Sequence, residues 1–344
     1  MTTIHKSADD LRVAPNLTDY ERTRAEFDWS KVPNPCAGMP ADGCNIAYAA
    51  VDRHADGPLA AKTALRFVAA NAWDGAVATR DLSYAELGRL SRRFTNVLRS
   101  LAINKGDRVF TLLGHCPELY VTVMGALRNG SVVCPLFSAF GPEPLVTRLN
   151  LGNADVLVTT AAIYKRKIAA VRDRLPSVRH IIIVDDHEDN DDQRGTLNFW
   201  HWVDAADENA PIHHTTAEDP ALLHFTSGTT GTPKGALHVH GGVTMHYLTG
   251  LYALDLHPDD TSIVDEAEFE AERWYRILQT QGVTVWYTAP TAIRMLIKAG
   301  PELVAQFSFP KLRFVASVGE PLNAEAVWWG NRVLGLPIHD NWWQ

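Results

Sequence analysis

The stretch Arg108–Phe137, RVFTLLGHCPELYVTVMGALRNGSVVCPLF, decides the fold. RVFTLL is a short, continuously apolar run, the pattern of a strand buried on both faces. PELYVTVMGALR begins with Pro117, whose fixed φ suits a first helical turn, and runs out at Asn129-Gly130, a helix exit. SVVCPLF is a second buried strand. Two strands joined by a helix of this length make a βαβ unit, and such units pair in parallel.

The rhythm extends in both directions. Upstream, Ser83 and Glu86 form a capping box, and Leu87, Leu90, Phe94, Val97, Leu98 and Leu101 recur at helical spacing. Downstream, a helix over 142–151 precedes the strand DVLVTT, and a helix over 161–174 precedes RHIIIVDD. The charged run DDHEDNDDQRG, Asp185–Gly195, reads as a surface loop. Further on, a helical stretch to Leu254, a helix over 268–280, the strand VTVWYT, the helix PTAIRMLIKAG, the strand LRFVASV and a helix over 323–334 complete the series. The expected class is α/β, with mostly parallel sheets flanked by helices. Residues 1–45 are polar and proline-broken and are expected to form an extended arm before a 46–344 domain. No internal repeat and no low-complexity tract interrupts the pattern.

Composition narrows the function classes. A net charge of −8 argues against a general nucleic-acid or anionic-membrane binder. The opening MTTIHKSADDLRVAPN lacks the apolar stretch of a signal peptide, and no run is long enough to span a bilayer. Cys36, Cys44, Cys116 and Cys134 form no C-x-x-C pair and read as reduced thiols of a cytoplasmic protein. No metal-ligand spacing is found among the histidines.

The chemistry concentrates in TSGTTGTPKG, Thr226–Gly235, set between the apolar segments ALLHF and ALHVH. A flexible linker seldom sits so tightly between core segments or ends in a single lysine. The Walker pattern needs Gly-Lys-Ser/Thr, whereas Lys234 follows Pro233 and precedes Gly235. The third reading is a different phosphate cradle. Gly228, Gly231 and Gly235 let backbone N–H groups converge on an anion. Thr226, Ser227, Thr229, Thr230 and Thr232 add hydroxyl donors, and Lys234 adds one compact charge.

This loop resembles the signature of the adenylate-forming superfamily: acyl-CoA synthetases, luciferases and peptide-synthetase adenylation domains. VGEPLN (Val318–Asn323), DNWWQ (Asp340–Gln344) and WYTAPTAIR (Trp286–Arg294) are similar to segments of AMP-forming acetyl-CoA synthetases. The resemblance covers roughly residues 20 to 344 and implies the large N-terminal domain of that fold. It implies ATP as substrate with Mg²⁺, acetate and coenzyme A as the other reactants, and no prosthetic group. It places Gly319, Glu320, Pro321, Asp340, Asn341, Trp342 and Gln344 around the adenine, and Val318 and Trp343 at the acyl pocket. The implied reaction is acetate plus ATP to acetyl-AMP, then thioester formation with CoA. Oligomeric state is not implied.

Two departures from the family accompany the matches. In the family W-W-Q is followed by T-E-T-G, whose glutamate helps to hold Mg²⁺, and by a small C-terminal domain carrying a catalytic lysine. The chain reaches only Gln344, so no catalytic or metal residue is assigned within it, and a truncated domain is expected. Between Asp260 and Thr261 the family carries a further segment that supplies acyl-pocket residues, so an internal deletion is expected. Together these losses imply a deficit on the order of 10 kcal/mol, roughly seven decades of rate. The alternatives are a non-catalytic nucleotide-binding remnant and a ligase for another small carboxylic acid.

Overall fold

The computed structural model describes residues 3–6, 11–68, 79–185, 195–226, 233–263 and 270–342. These fall into two units, Asn34–Thr244 and Met1–Pro33 with Met245–Gln344.

In Asn34–Thr244, β1 (Thr63–Val68) and β2 (Thr79–Ser83) form a small antiparallel sheet. The guanidinium of Arg66 bridges to Asp81 across it at 2.5 and 2.6 Å. The main sheet contains β3 (Arg108–Leu112), β4 (Val132–Pro135), β5 (Val156–Thr159), β6 (His180–Ile183), β7 (Leu197–Asn198), β8 (Pro220–Thr226) and β9 (Lys234–Val239). Among the described residues its order is β7-β6-β5-β3-β4-β8-β9. Every pair is parallel except β8–β9.

Alternate residues of the central strands feed two separate cores, as period-two geometry requires. Val109, Val133, Val156 and Ile182 pack with Phe94, Leu98, Val121 and Phe199 on one face. Phe110, Cys134, Leu157 and Ile181 pack with Leu145, Leu149, Tyr164 and Ile168 on the other. The helix Tyr84–Ser100 starts as the capping box predicts: the Glu86 N–H donates to Ser83 Oγ at 3.1 Å. It lies against the helix Pro117–Arg128 at Gly125, where a Cβ would meet the Ser91 carbonyl oxygen at 2.9 Å. Only glycine permits that approach.

Two local expectations change. The segment 161–174 is not one α-helix: one turn, Ala161–Ile163, passes into a π-helical turn, Tyr164–Ile168, and then a 3₁₀ run, Ala169–Arg174. The helical stretch expected straight after the glycine-rich loop begins only at Gly242. Before it, Lys234–Val239 is a strand, because its backbone pairs with β8 through Phe225↔Gly235 and Leu223↔Leu237. The acidic loop lies almost wholly outside the described residues.

In the other unit, β10 (Ser262–Ile263), β11 (Val285–Thr288), β12 (Phe314–Ser317) and β13 (Ile338–Asp340) form a parallel sheet in that order. Trp274, Tyr275, Trp286, Ile293, Val315, Trp329 and Ile338 form its core with the helices Ala271–Thr280, Pro290–Ala299 and Ala324–Val333. Arg313, whose side chain is 7% exposed, immediately precedes β12 and ties down the chain before β10. Its Nη1 donates to Asp255 Oδ2 at 2.8 Å, its Nε to Asp260 Oδ1 at 3.0 Å, and its Nη2 also reaches Asp260. The Asp260–Thr261 junction is thus anchored; the Thr261 N–H donates to Thr284 Oγ1 at 2.9 Å. The amino-terminal segment is held here too, through Arg12 on the carbonyls of Phe309, Pro310 and Leu312. A short helix, Tyr20–Glu26, is capped by Asp19. Among the described residues no helix is long and apolar enough to cross a membrane.

Candidate nucleotide site

The glycine-rich loop joins β8 to β9. Thr226 pairs with Lys234 at the loop end of that hairpin, and both are exposed. Thr226 Oγ1 lies 3.5 Å from the Lys234 carbonyl oxygen. Because β8 runs parallel to β4, this end coincides with the carboxyl ends of the parallel strands, the edge at which open α/β sheets bind ligands. Gly235 lies within β9. Ser227, Gly228, Thr229, Thr230, Gly231 and Thr232 lie outside the described residues.

The second set of candidates sits in the four-stranded sheet, also at its carboxyl edge. The Val318 N–H donates to the Thr288 carbonyl oxygen at 3.0 Å, and the Asn341 N–H donates to that of Ser317 at 2.8 Å. These bonds continue the ladder one step past the ends of β11, β12 and β13. Gly319 then turns the chain with φ +103°, a conformation that L side chains rarely adopt. Glu320 and Pro321 follow, exposed. Asp340 Oδ2 accepts the Leu322 N–H at 3.1 Å, which pins the Val318–Leu322 turn to the end of β13. Asn323 caps the next helix by accepting the Ala326 N–H at 2.9 Å. Trp342 is 86% exposed beside them. Val318, Gly319, Glu320, Pro321, Asp340, Asn341 and Trp342 are therefore gathered on one edge. Trp343 and Gln344 lie outside the described residues.

Glu320 is held in place. Thr291 Oγ1 donates to its Oε1 at 2.7 Å, and Arg294 Nη2 bonds to Oε2 and, at 3.0 Å, to Thr291 Oγ1. The Thr291 hydroxyl and then the Arg294 guanidinium keep the Glu320 carboxyl below the ordinary glutamate range. Both partners come from the first turns of the helix Pro290–Ala299, at the i, i+3 spacing that puts them on one face. The WYTAPTAIR similarity names this helix but gives neither residue a role. The helical spacing alone puts them side by side, while their meeting with Glu320 needs the parallel β11–β12 pairing. Ser317 was also passed over. It is fully buried at the end of β12, and its hydroxyl has no hydrogen-bond partner among the described residues.

Backbone turns at the carboxyl ends of parallel strands, set beside a fixed carboxylate, define an α/β ligand-binding edge of the nucleotide-binding kind. The family described as AMP-binding enzyme matches residues 52–265 and 261–344, and the chain belongs to it. It is 36% identical to the acetyl-coenzyme A synthetase of Bacillus subtilis (strain 168), over 95% of this chain and 60% of that protein. It is 34% identical to the acetyl-coenzyme A synthetase of Methanothrix thermoacetophila, over 88% of this chain and 52% of that protein. The crystal structure of a Brucella canis acyl-CoA synthetase superposes with a TM-score of 0.82 at 30% identity, covering 94% of this chain and 62% of that one. The chain thus spans between 52% and 62% of the length of these relatives.

Proposed function

We propose that the chain carries the adenylate-forming portion of an AMP-forming acetate–CoA ligase. In that reaction a carboxylate oxygen of acetate attacks the α-phosphorus of ATP, the bond to the β-phosphate oxygen breaks, and pyrophosphate leaves. Thioester formation with coenzyme A and release of AMP complete the cycle of the whole protein. The observation that carries the reading is the joining of Val318–Pro321 to Asp340–Trp342 at one sheet edge, with Glu320 already fixed. The turn and Trp342 give the purine a wall and polar edges. Thr226 and Lys234, with the hydroxyl-rich sequence between them, supply donors for the charge that gathers on the leaving pyrophosphate. Val318, with Trp343, limits the acid to a short chain by overlap.

Among the described residues no group of three carboxylate, histidine or cysteine side chains could hold a metal ion. One observation favours a second reading, a nucleotide-binding chain without turnover: the family match falls in two stretches that meet at 261–265, at the Asp260–Thr261 junction. Acetate-dependent exchange of pyrophosphate into ATP separates the two. Exchange above the acetate-free control supports adenylation. Nucleotide binding without exchange supports the second reading.

A further inference from the structure

Cys36 and Cys44 bring their sulfur atoms to 3.1 Å. The backbone on either side holds them there. Between them Gly38, Ala41 and Asp42 all take positive φ, and Met39 is buried. The Cys36 N–H donates to Asn34 Oδ1 at 2.9 Å. At the other end the Cys44 N–H donates to the Thr215 carbonyl oxygen at 2.7 Å, and Thr215 Oγ1 donates to that of Cys44 at 2.6 Å. Asn45 Nδ2 fixes the next residue to the Leu127 carbonyl oxygen at 2.8 Å. A disulfide needs the sulfurs to close by only ~1 Å.

The sulfurs differ in access and charge. Cys36 is 2% exposed, whereas Cys44 is partly open to solvent. The S–H group of Cys44 keeps the Cys36 thiol down at about 7 despite its burial, with Arg53 assisting. The same shared proton, with burial, pushes Cys44 up. The other cysteines lack such a partner: burial pushes Cys116 up to about 12 and raises Cys134 as well. Neutral, buried thiols of that kind are inert.

We propose that Cys36 and Cys44 form a thiol-modification site that reacts with a hydroperoxide and closes to an intrachain disulfide. One proton is shared across 3.1 Å, so a single deprotonation leaves a thiolate and a thiol in contact. The thiolate of the pair attacks the peroxide: an S–O bond forms, the O–O bond breaks, and the leaving oxygen departs protonated as an alcohol or water. The partner sulfur then displaces the sulfenic hydroxyl. The S–S bond forms, the S–O bond breaks and water leaves, so two thiols and one hydroperoxide give one disulfide, one alcohol and one water. The closed ring clamps the loop beside Thr215, just before β8.

The test is direct, because the tryptic peptide Val32–Arg53 contains both cysteines. The full chain is treated with equimolar hydrogen peroxide, alkylated in denaturant without reductant, digested and weighed. The expected product is Val32–Arg53 short of two hydrogens and unalkylated, with Cys116 and Cys134 alkylated. Alkylation of Cys36 and Cys44 to the same extent as Cys116 and Cys134 overturns the proposal, as does recovery of two separate sulfinic acids. Cys44→Ser provides an independent arm. Cys36 in that variant is expected to stay free of disulfide under the same peroxide dose, and an unchanged two-hydrogen loss in its peptide counts against the pairing.

Discussion

Thr291 and Glu320, 29 residues apart, are joined by a 2.7 Å hydrogen bond from Oγ1 to Oε1, and Arg294 closes on the other carboxylate oxygen. The turn after β12 is thereby set before any ligand arrives. Arg294→Gln is expected to weaken AMP binding roughly two- to fivefold, the range for a half-exposed ion pair. The carboxyl is depressed, so its contacts are complete at neutral pH and fade as pH falls through the acid range. Arg294→Gln should move that fading to higher pH. AMP titrations across pH check both shifts.

Gly319 occupies φ +103° at the tip of the same turn. Gly319→Ala is expected to add about 1–3 kcal/mol of backbone strain. The strain is carried by the folded state, so AMP affinity should fall and the thermal midpoint should drop by a few degrees with it. Parallel calorimetric and melting measurements check the two effects.

Arg313 is the buried tie between β12 and the chain before β10. Burial pushes the Asp260 carboxyl up, but the bonds from Arg313, the His257 N–H and Thr284 outweigh it and hold it below the ordinary range. That stability is present at neutral pH and is lost as pH falls through the depressed pKa. Arg313→Ala takes the guanidinium partner from both Asp255 and Asp260 and should cost about 3 kcal/mol, measured by urea denaturation. Arg313→Lys is expected to recover part of the loss, because one ammonium reaches fewer of the acceptors.

His240 is fully buried, and its Nδ1 accepts the Ile46 N–H at 3.1 Å. Burial, with Lys105 adding to it against Asp219, depresses its pKa from 6.5 to about 4. The unfolded chain binds the proton more readily, so stability rises with pH across that window. Acidification from 6.5 to 4 should remove up to ~3 kcal/mol through this residue. Denaturation curves of the wild type and of His240→Gln across that range check the sign and the size.

Much of this architecture is legible in residue patterns. The Ser83 cap, the proline-opened helices at 117, 142 and 290, and the apolar strands all appear where periodicity places them, because each is set by local chemistry. What escaped depends on distant partners. The β1–β2 hairpin is held by cross-strand contacts such as Arg66–Asp81, and β9 is a strand only because β8 lies beside it. At the site, the motifs mark the turn at Val318–Pro321 and the end of β13 but give no role to Thr291, Arg294 or Ser317. The Cys36–Cys44 contact is likewise silent in the sequence, since its spacing matches no familiar pair and the approach is made by left-handed turns.

Lys234, at the start of β9, is the residue proposed to meet the outer phosphates of ATP, which AMP lacks. Calorimetric titration of ATP and of AMP into the wild type and Lys234→Ala tests that role most directly. ATP affinity is expected to fall by roughly tenfold or more in the variant, as for the loss of a charged donor, while AMP affinity stays the same. Equal ATP affinity in the two proteins would contradict it.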